Sequence, residues 1–409
     1  MSAPTAPTAP RPLEGVTVLD FSRVLAAPMA TQILAELGAT VVKVERPGGG
    51  DETRGFEPRL PHGESAYFFA FNRGKRSVAL DLKDPRGRDV ARRLAARADV
   101  VVENFLPGAM DRLGLGYDDL AAGNPGLVYV SATGFGQSGP DRTRKGYDTV
   151  FQALSGVMAM TGEPDGPPSK TGIPVADMTS GLWVAIAVLT GLAGRGVSGR
   201  GRHFDVSMMD VQLSLHALNA ARLFALDEDP ARTGTQHPGR VPSAAFETAD
   251  GGWLHISGSD QHWVPLCEVL GLDGLAADPE LRHNAGRVAR REDVMTALRT
   301  AIARRERDPL LKELLTADVP AGAVRGVREA LADPHARARG VVTEFEHPTE
   351  GTFRALRTPL RETDGAPPAA GAPPLLGADT DAVLADLAGL GDEEIDELRE
   401  AGVIQDGGR

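Results

Sequence analysis

Cysteine is nearly missing from this chain, since Cys267 is the only one in 409 residues. One cysteine allows neither an internal disulfide nor a cysteine-based metal cluster, and a reducing, cytoplasmic setting is the expectation. Basic charge is in deficit, with 44 Lys and Arg against 56 Asp and Glu for a net charge of −12. Nucleic acid is therefore an unpromising partner, although a local basic pocket for a phosphorylated ligand stays open. Long hydrophobic runs are absent too. The longest, Leu182 to Leu192, is too short to span a bilayer, so no membrane partner is expected. Residues 1–12 are rich in Ala, Pro and Thr and lack the basic-then-apolar pattern of a signal peptide. They read as a disordered lead-in. The nine His are scattered, no metal-spaced His/Asp/Glu set is visible, and no internal repeat is found.

What is present suits a globular α/β protein. Apolar residues make up 42% and charged residues 24%, and the length allows two domains with sizeable cores. Val16 to Phe21 reads as a strand, Pro28 to Leu37 as a helix stopped by Gly38, and Val41 to Glu45 as a second strand. Such a β-α-β start argues for a parallel sheet with crossover helices. The first turn, Ser22 to Pro28, has no GxGxxG, which disfavours NAD. Further strands are expected at Ser77–Leu82, Asp99–Glu103, Leu127–Ser131 and His203–Ser207, and one long helix over Met208–Leu226. From about Asp227 the texture changes, and residues 227–330 read as a second, smaller domain. Val341 to Leu360 returns to strand-like sequence, Thr363 to Pro374 reads as a linker, and two short capped helices close the chain.

Two features carry chemistry. Basic residues Arg46, Lys75, Arg76, Lys83, Arg112 and Lys145 recur near strand ends of an otherwise acidic protein. Singly each suits a solvated surface; together they suggest a polyanion site, because ligands of open α/β sheets lie beyond the carboxyl ends of the strands. The second feature is Asp177, a lone acid between the apolar approach Ile173–Ala176 and an apolar run that reads as a buried helix. At a helix N-terminus, backbone N–H groups and the helix dipole favour its ionised form. Asp177 is then either a simple N-cap or a carboxylate held as a nucleophile at the mouth of a pocket.

In combination, Leu19-Asp20-Phe21, Val44-Glu45-Arg46-Pro47, Asn72 with Lys75-Arg76-Ser77, Val102 to Phe105 with Pro107-Gly108, Gly146-Tyr147-Asp148, Asp177 and Pro374 to Gly377 resemble the family III CoA-transferases. That family includes formyl-CoA transferase and has the α-methylacyl-CoA racemases as close relatives. The resemblance runs nearly end to end. It implies Asp177 as the nucleophile and CoA contacts at Leu25, Ala26, Arg46, Lys75, Leu80, Asp81, Leu82, Lys83, Asn104, Phe105, Leu106, Arg112, Lys145, Gly146, Tyr147 and Asp148. It also implies a large Rossmann-like domain made from both chain ends (residues 13–226 and 331–409), a small α+β domain, and an interlocked homodimer. CoA and acyl-CoA are then substrates, a small carboxylic acid is the second partner, and no permanently bound cofactor or metal is expected. The racemases resemble Gly-His-Asp where this chain has Gly146-Tyr147-Asp148. A phenol with an ordinary pKa near 10 suits proton abstraction poorly at neutral pH, which favours transfer over racemisation. A CoA-binding protein without catalysis is the remaining alternative. Gly234 to Gly239 departs from the family's glycine run and is the candidate lid. There Gly234, Gln236 and His237, with Arg232 and Arg240, are candidates to meet a second carboxylate, pointing to a dicarboxylic acid such as succinate.

Overall fold

The computed structural model describes residues 10–361 and 371–407. Most of the expected lead-in and of the 363–374 linker lies outside them. The first six strands are β1 (Thr17–Asp20), β2 (Thr40–Glu45), β3 (Arg76–Leu80), β4 (Val100–Glu103), β5 (Val128–Thr133) and β6 (His203–Ser207). After them come β7 (Ser243–Glu247), β8 (Trp253–Ser257), β9 (Ala321–Ala323), the hairpin β10 (Val342–His347) and β11 (Gly351–Leu356), and β12 (Ile404–Gln405). A seven-stranded sheet runs in the order β12-β3-β2-β1-β4-β5-β6. Its strands are parallel except for β12, which pairs antiparallel with β3 through Ile404↔Leu80 and Gln405↔Ala79.

The valine-rich strands explain the layering. A sheet buried on both faces needs near-continuous apolar runs, and successive residues point to opposite faces. Leu19, Val42, Val78 and Val101 pack on one side with Val90 and Leu94 of the helix Pro85–Ala95 and with Val383, Leu384 and Leu398 near the C-terminal end. Val18, Val41, Val100 and Val128 pack on the other with Ala27, Ala30 and Leu34 of the helix Ala26–Glu36 and Val184 and Val188 of the helix Val175–Ser198. That last helix has 24 residues, long and apolar enough by composition to cross a membrane, so the expectation drawn from the 182–192 run alone understated it. Here its small residues let it approach the sheet closely. A Cβ on Gly181 would lie 2.5 Å from the Ala26 carbonyl oxygen, and one on Gly191 would lie 2.5 Å from a Val128 methyl.

The chain divides into two compact units. One runs to Val157 and continues with Lys170–Ala221 and everything from Ala336 onward; the other takes Met158–Ser169 and Arg222–His335. The segment 158–169 therefore belongs with the second unit, not with the large domain to which the sequence reading assigned it. Its partner is Arg232, whose guanidinium donates to the carbonyls of Ala159, Glu163 and Gly166. Within this second unit, β7, β8 and β9 form an antiparallel sheet over a core that includes Trp263, Leu266, Leu298 and Leu314. The helix expected over 208–226 is broken into Met208–Ser214 and Ala217–Leu226. The Ser214 hydroxyl donates back to the Val211 carbonyl, and Leu215 and His216 close with tight i→i+3 bonds to Gln212 and Leu213, ending the first segment.

Beneath the carboxyl ends of β1–β3 lies a buried ionic network. Lys75 Nζ donates to Asp20 Oδ2 (3.0 Å), the Pro28 carbonyl (3.0 Å) and Asn72 Oδ1 (2.9 Å), which satisfies all three ammonium protons. Lys43 Nζ reaches the Ser22 carbonyl at 2.7 Å and Asp51 at 2.9 Å. Glu45 accepts from Arg54 and Ser77. Burial would raise the Asp20 carboxyl, yet Lys75 and Lys43, helped by the Ser22 and Thr31 hydroxyls, hold it below its ordinary value. Asp51 is held down to about 2 against the same burial penalty, chiefly by Lys43. Removing one partner of such a pair leaves an uncompensated charge. Lys75→Ala is expected to destabilise the fold by about 3–5 kcal/mol, read from the shift of the urea unfolding midpoint.

Candidate active site

The sheet order reverses at β1, which has β2 on one side and β4 on the other, and a cleft of about 350 Å³ opens at the carboxyl ends there. This is the switch-point position at which open α/β sheets bind ligands. Each wall follows from the strand it continues. Arg23 to Ala26 follow β1, Asn104 to Leu106 follow β4, Ala132 to Gly134 close β5, and Val206 and Met208 flank the end of β6. The segment Arg142 to Asp148, with Phe151, completes the rim, and Asp177 and Ser180 form the floor on the Val175–Ser198 helix. Gly134 and Gly146 both sit against the Phe151 ring, so that a Cβ at either would collide with it at 2.6–2.7 Å.

Asp177 lies in the first turn of its helix, which begins at Val175, three residues earlier than the sequence pattern suggests. The cap is not Asp177 itself but Asp148. One Asp148 oxygen accepts the backbone N–H groups of Ala176 (2.8 Å) and Asp177 (3.2 Å). The other accepts the Gln152 amide at 2.6 Å, and Gln152 in turn accepts Thr171 N–H at 2.9 Å. Asp148, expected among the CoA contacts, thus fixes the helix start that carries Asp177. The arrangement also corrects the expectation of an ionised Asp177 favoured by its helix end. Burial, and then the nearby Asp148 charge, push the Asp177 carboxyl up to about 7, because Asp148 occupies the N–H groups that would have stabilised its anion.

A second cavity of about 290 Å³ adjoins the ends of β1, β2 and β3 and shares Arg23 and Phe105 with the first. Arg46 and Leu80 to Lys83 line it, as do Lys43, Glu45 and Asp51 from the ionic network. The structure thus brings together Leu25, Ala26, Asn104, Phe105, Leu106, Lys145, Gly146, Tyr147, Asp148 and Asp177 in one cleft, and Arg46, Leu80, Asp81, Leu82 and Lys83 in the next. Tyr147 is 80% exposed. Lys75 and Arg112 line neither of these two cavities. Lys75 is engaged by Asp20 and buried under the turn, which lowers its pKa to about 8 through burial despite Asp20. Arg112 lies against Gly108. In the second unit, Gly234 faces the Glu163 carboxylate, Gln236 Oε1 is 3.5 Å from Arg291, and His237 Nδ1 accepts the Gly239 N–H at 3.0 Å. Arg232 is bound to three carbonyls of its own unit.

Several wall residues escaped the sequence reading. Arg142 and Arg144 stand beside Lys145 in one basic run, a signal that was available. Arg144 lies over the Phe135 ring at 5.3 Å and pairs with Asp141. Val24 gives no sequence signal at all. Its φ of 71° is the left-handed conformation a β-branched residue avoids, and Asp51 holds its N–H at 3.2–3.3 Å.

The chain belongs to the CoA-transferase family III, whose model matches residues 13–380, and it is a CoA-transferase by that membership. It is 36% identical over 395 residues to the succinyl-CoA:glutarate CoA-transferase of Mus musculus, covering 97% of this chain and 91% of that one. It is 40% identical over 355 residues to the succinate–glutarate CoA-transferase of Agrobacterium fabrum (85% and 89%). Among solved structures, a CAIB/BAIF family protein from Brucella suis superposes with a TM-score of 0.83 at 38% identity, over 93% of this chain and all of that one.

A carboxyl raised to about 7 in the folded state holds its proton more tightly there than in the unfolded chain. Its burial is uncosted at pH 4 and becomes destabilising as pH climbs from 4 through 7. Asp177→Asn is therefore expected to melt higher than the parent at pH 8, with the gap narrowing at pH 5 and closing near pH 4, by scanning calorimetry at these pH values.

Proposed function

We propose that this CoA-transferase moves CoA from an acyl-CoA donor such as succinyl-CoA to a small dicarboxylate, with Asp177 as the nucleophile. The observation that carries the proposal is the Asp177 carboxyl on the floor of the switch-point cleft, accepting no hydrogen bond among the described residues, under a rim that carries Arg23, Arg142, Arg144 and Lys145. The names of the mouse and Agrobacterium relatives support the choice of succinyl-CoA and a C5 dicarboxylate. The adjoining cavity with Arg46 and Lys83 suits the nucleotide end of CoA, since guanidinium and ammonium groups match phosphate.

In the reaction, an Asp177 oxygen attacks the thioester carbonyl carbon, the C–S bond breaks, and CoA leaves as thiolate. The product is a mixed anhydride. The thiolate then attacks the aspartyl carbonyl carbon, the donor acid departs as carboxylate, and Asp177 carries CoA as a thioester. An acceptor carboxylate attacks that same carbon, re-forming an anhydride and releasing thiolate. Attack of the thiolate on the acceptor acyl carbon yields the new acyl-CoA and returns Asp177 as carboxylate. Splitting one exchange into covalent half-steps is the gain. A carboxyl with its pKa near 7 is a stronger nucleophile when ionised than an ordinary aspartate, at the cost of partial protonation below neutrality. Water must be kept from the anhydride, and Val206 and Phe151 are among the apolar residues that line the same cleft as Asp177.

Asp177→Ala is expected to lose transfer from succinyl-CoA to glutarate by on the order of 10³-fold or more with circular dichroism unchanged. Hydroxylamine added after acyl-CoA should mark Asp177 in the parent and nothing in the variant, by peptide mass spectrometry. A variant retaining near-full activity would end the nucleophile assignment.

We also propose a homodimer. The Val175–Ser198 helix leaves Leu182, Trp183, Ile186 and Leu189 between 37 and 48% exposed, and Trp183 and Ile186 line an apolar cleft of about 400 Å³. Contiguous apolar surface of this kind marks an association site, and a second copy is the occupant the family resemblance supplies. Ile186→Glu is expected to shift the molar mass by light scattering from dimer to monomer or aggregate; a monomeric parent would refute the assignment.

A further inference from the structure

One titratable group near the cleft takes no part in the chemistry above. Glu103 ends β4 and is 4% exposed. Its Oε2 accepts the Phe105 N–H at 2.8 Å. Its direct partner in the β4–β5 ladder is Ser131, whose hydroxyl acts to lower the Glu103 pKa. Ser131 Oγ lies 2.9 Å from His203 Nε2 on β6, and the His203 ring stacks on Tyr117 and meets Tyr129 edge-on. His203, Ser131 and Glu103 thus occupy three neighbouring strands, and Glu103 reaches the backbone of the cleft wall through the Phe105 N–H.

What that wall does is visible in its other contacts. Asn104 Oδ1 accepts the Arg23 N–H at 2.9 Å, and its amide donates to the Arg23 carbonyl at 2.7 Å. The Arg23 guanidinium lies over the Phe105 ring, 4.7 Å from its centroid. Residues 104–105 therefore clamp the turn after β1, and Arg23 and Phe105 are shared by both cavities. Anything that fixes Phe105 N–H fixes the wall common to both. We infer that Glu103 is a positioning residue for CoA, holding the Asn104–Leu106 loop and, through it, Arg23, in the shape that accepts the ligand. The inference rests on the acyl-CoA reading of the cleft.

The charge on Glu103 matters because a carboxylate acceptor makes a stronger bond to N–H than a neutral one. Burial pushes its pKa up to about 7, the Ser131 hydroxyl and the Phe105 N–H oppose this, and Asp111 and Asp205 add to it. The groups facing it are Asp111 from the helix Ala109–Arg112, Tyr129 and Ser131 on β5, and His203 and Asp205 on β6. Burial lowers the His203 pKa, against the nearby Asp205, Asp111 and Asp118 charges. Above neutrality Glu103 is ionised and the loop is held most firmly; below it the hold weakens.

The test is the dissociation constant of free CoA, measured by calorimetry from pH 6 to 8 on the full-length protein. Glu103→Gln keeps a neutral acceptor and cannot ionise. It is expected to bind CoA about threefold more weakly than the parent at pH 8 and equally at pH 6. Glu103→Ala, with no acceptor, is expected to weaken binding about tenfold at pH 8 and to raise KM for acyl-CoA while leaving kcat within about twofold. Ser131→Ala provides a variant that keeps the carboxylate, and it should move the pH-dependent change upward. Equal affinity of parent and Glu103→Gln at every pH, or a constant ratio across pH, would overturn the inference, as would a loss confined to kcat. If the parent itself binds no CoA, the reading of the cleft fails and not the role of Glu103 within it.

Discussion

The Lys43–Asp51 and Lys75–Asp20 ion pairs are the constraint on which the site depends. Both lysines are buried to the tip, so each must be paired or its desolvation would dominate. The pairing is done by groups that also shape the first turn. Lys43 holds the Ser22 carbonyl, Asp51 holds the strained Val24 N–H, and Lys75 holds the Pro28 carbonyl within the first helix. The turn between β1 and that helix therefore has its conformation set from below by charge. In a dinucleotide fold, glycines give this turn freedom; here it is fixed by salt bridges, where Leu25 and Ala26 line the cleft.

The same logic separates what was legible in the sequence from what was not. Strand positions followed from valine runs, because a sheet covered on both faces leaves a continuous apolar signature. Strand ends, and hence the cleft, followed from them, as did Asp177 as an acid isolated between apolar segments. The burial of Lys75 was not legible because a lysine in the run Arg73-Gly74-Lys75-Arg76 carries the same letters whether it faces solvent or an aspartate 55 residues away. The ionisation of Asp177 was misread for a similar reason. Its competitor for the helix N–H groups, Asp148, is remote in sequence and became a neighbour only through folding. Likewise nothing local in residues 158–169 announces that they follow Arg232 into the second unit.

Asp148 and Asp177 divide two demands that one residue cannot meet. A capping carboxylate is stabilised by the N–H groups it accepts, which lowers its basicity. A nucleophile, the role proposed for Asp177, needs its lone pairs free. Giving the cap to Asp148 leaves Asp177 without donors and raises its proton affinity further through like charge. The Gln152–Thr171 contacts keep Asp148 from turning away, so the division is built into the segment preceding the helix.

The antiparallel strand β12 ties the far end of the chain to the ligand-binding edge. Gln405 sits opposite Ala79 in the sheet, its carbonyl accepts the Thr380 hydroxyl, and its side-chain oxygen accepts the Gly48 N–H at 2.6 Å within the loop that carries Arg46. Without the β12 pairing, β3 would be an open sheet edge presenting unpaired N–H and C=O groups, so Ile404 and Gln405 also shield the sheet from edge-to-edge association.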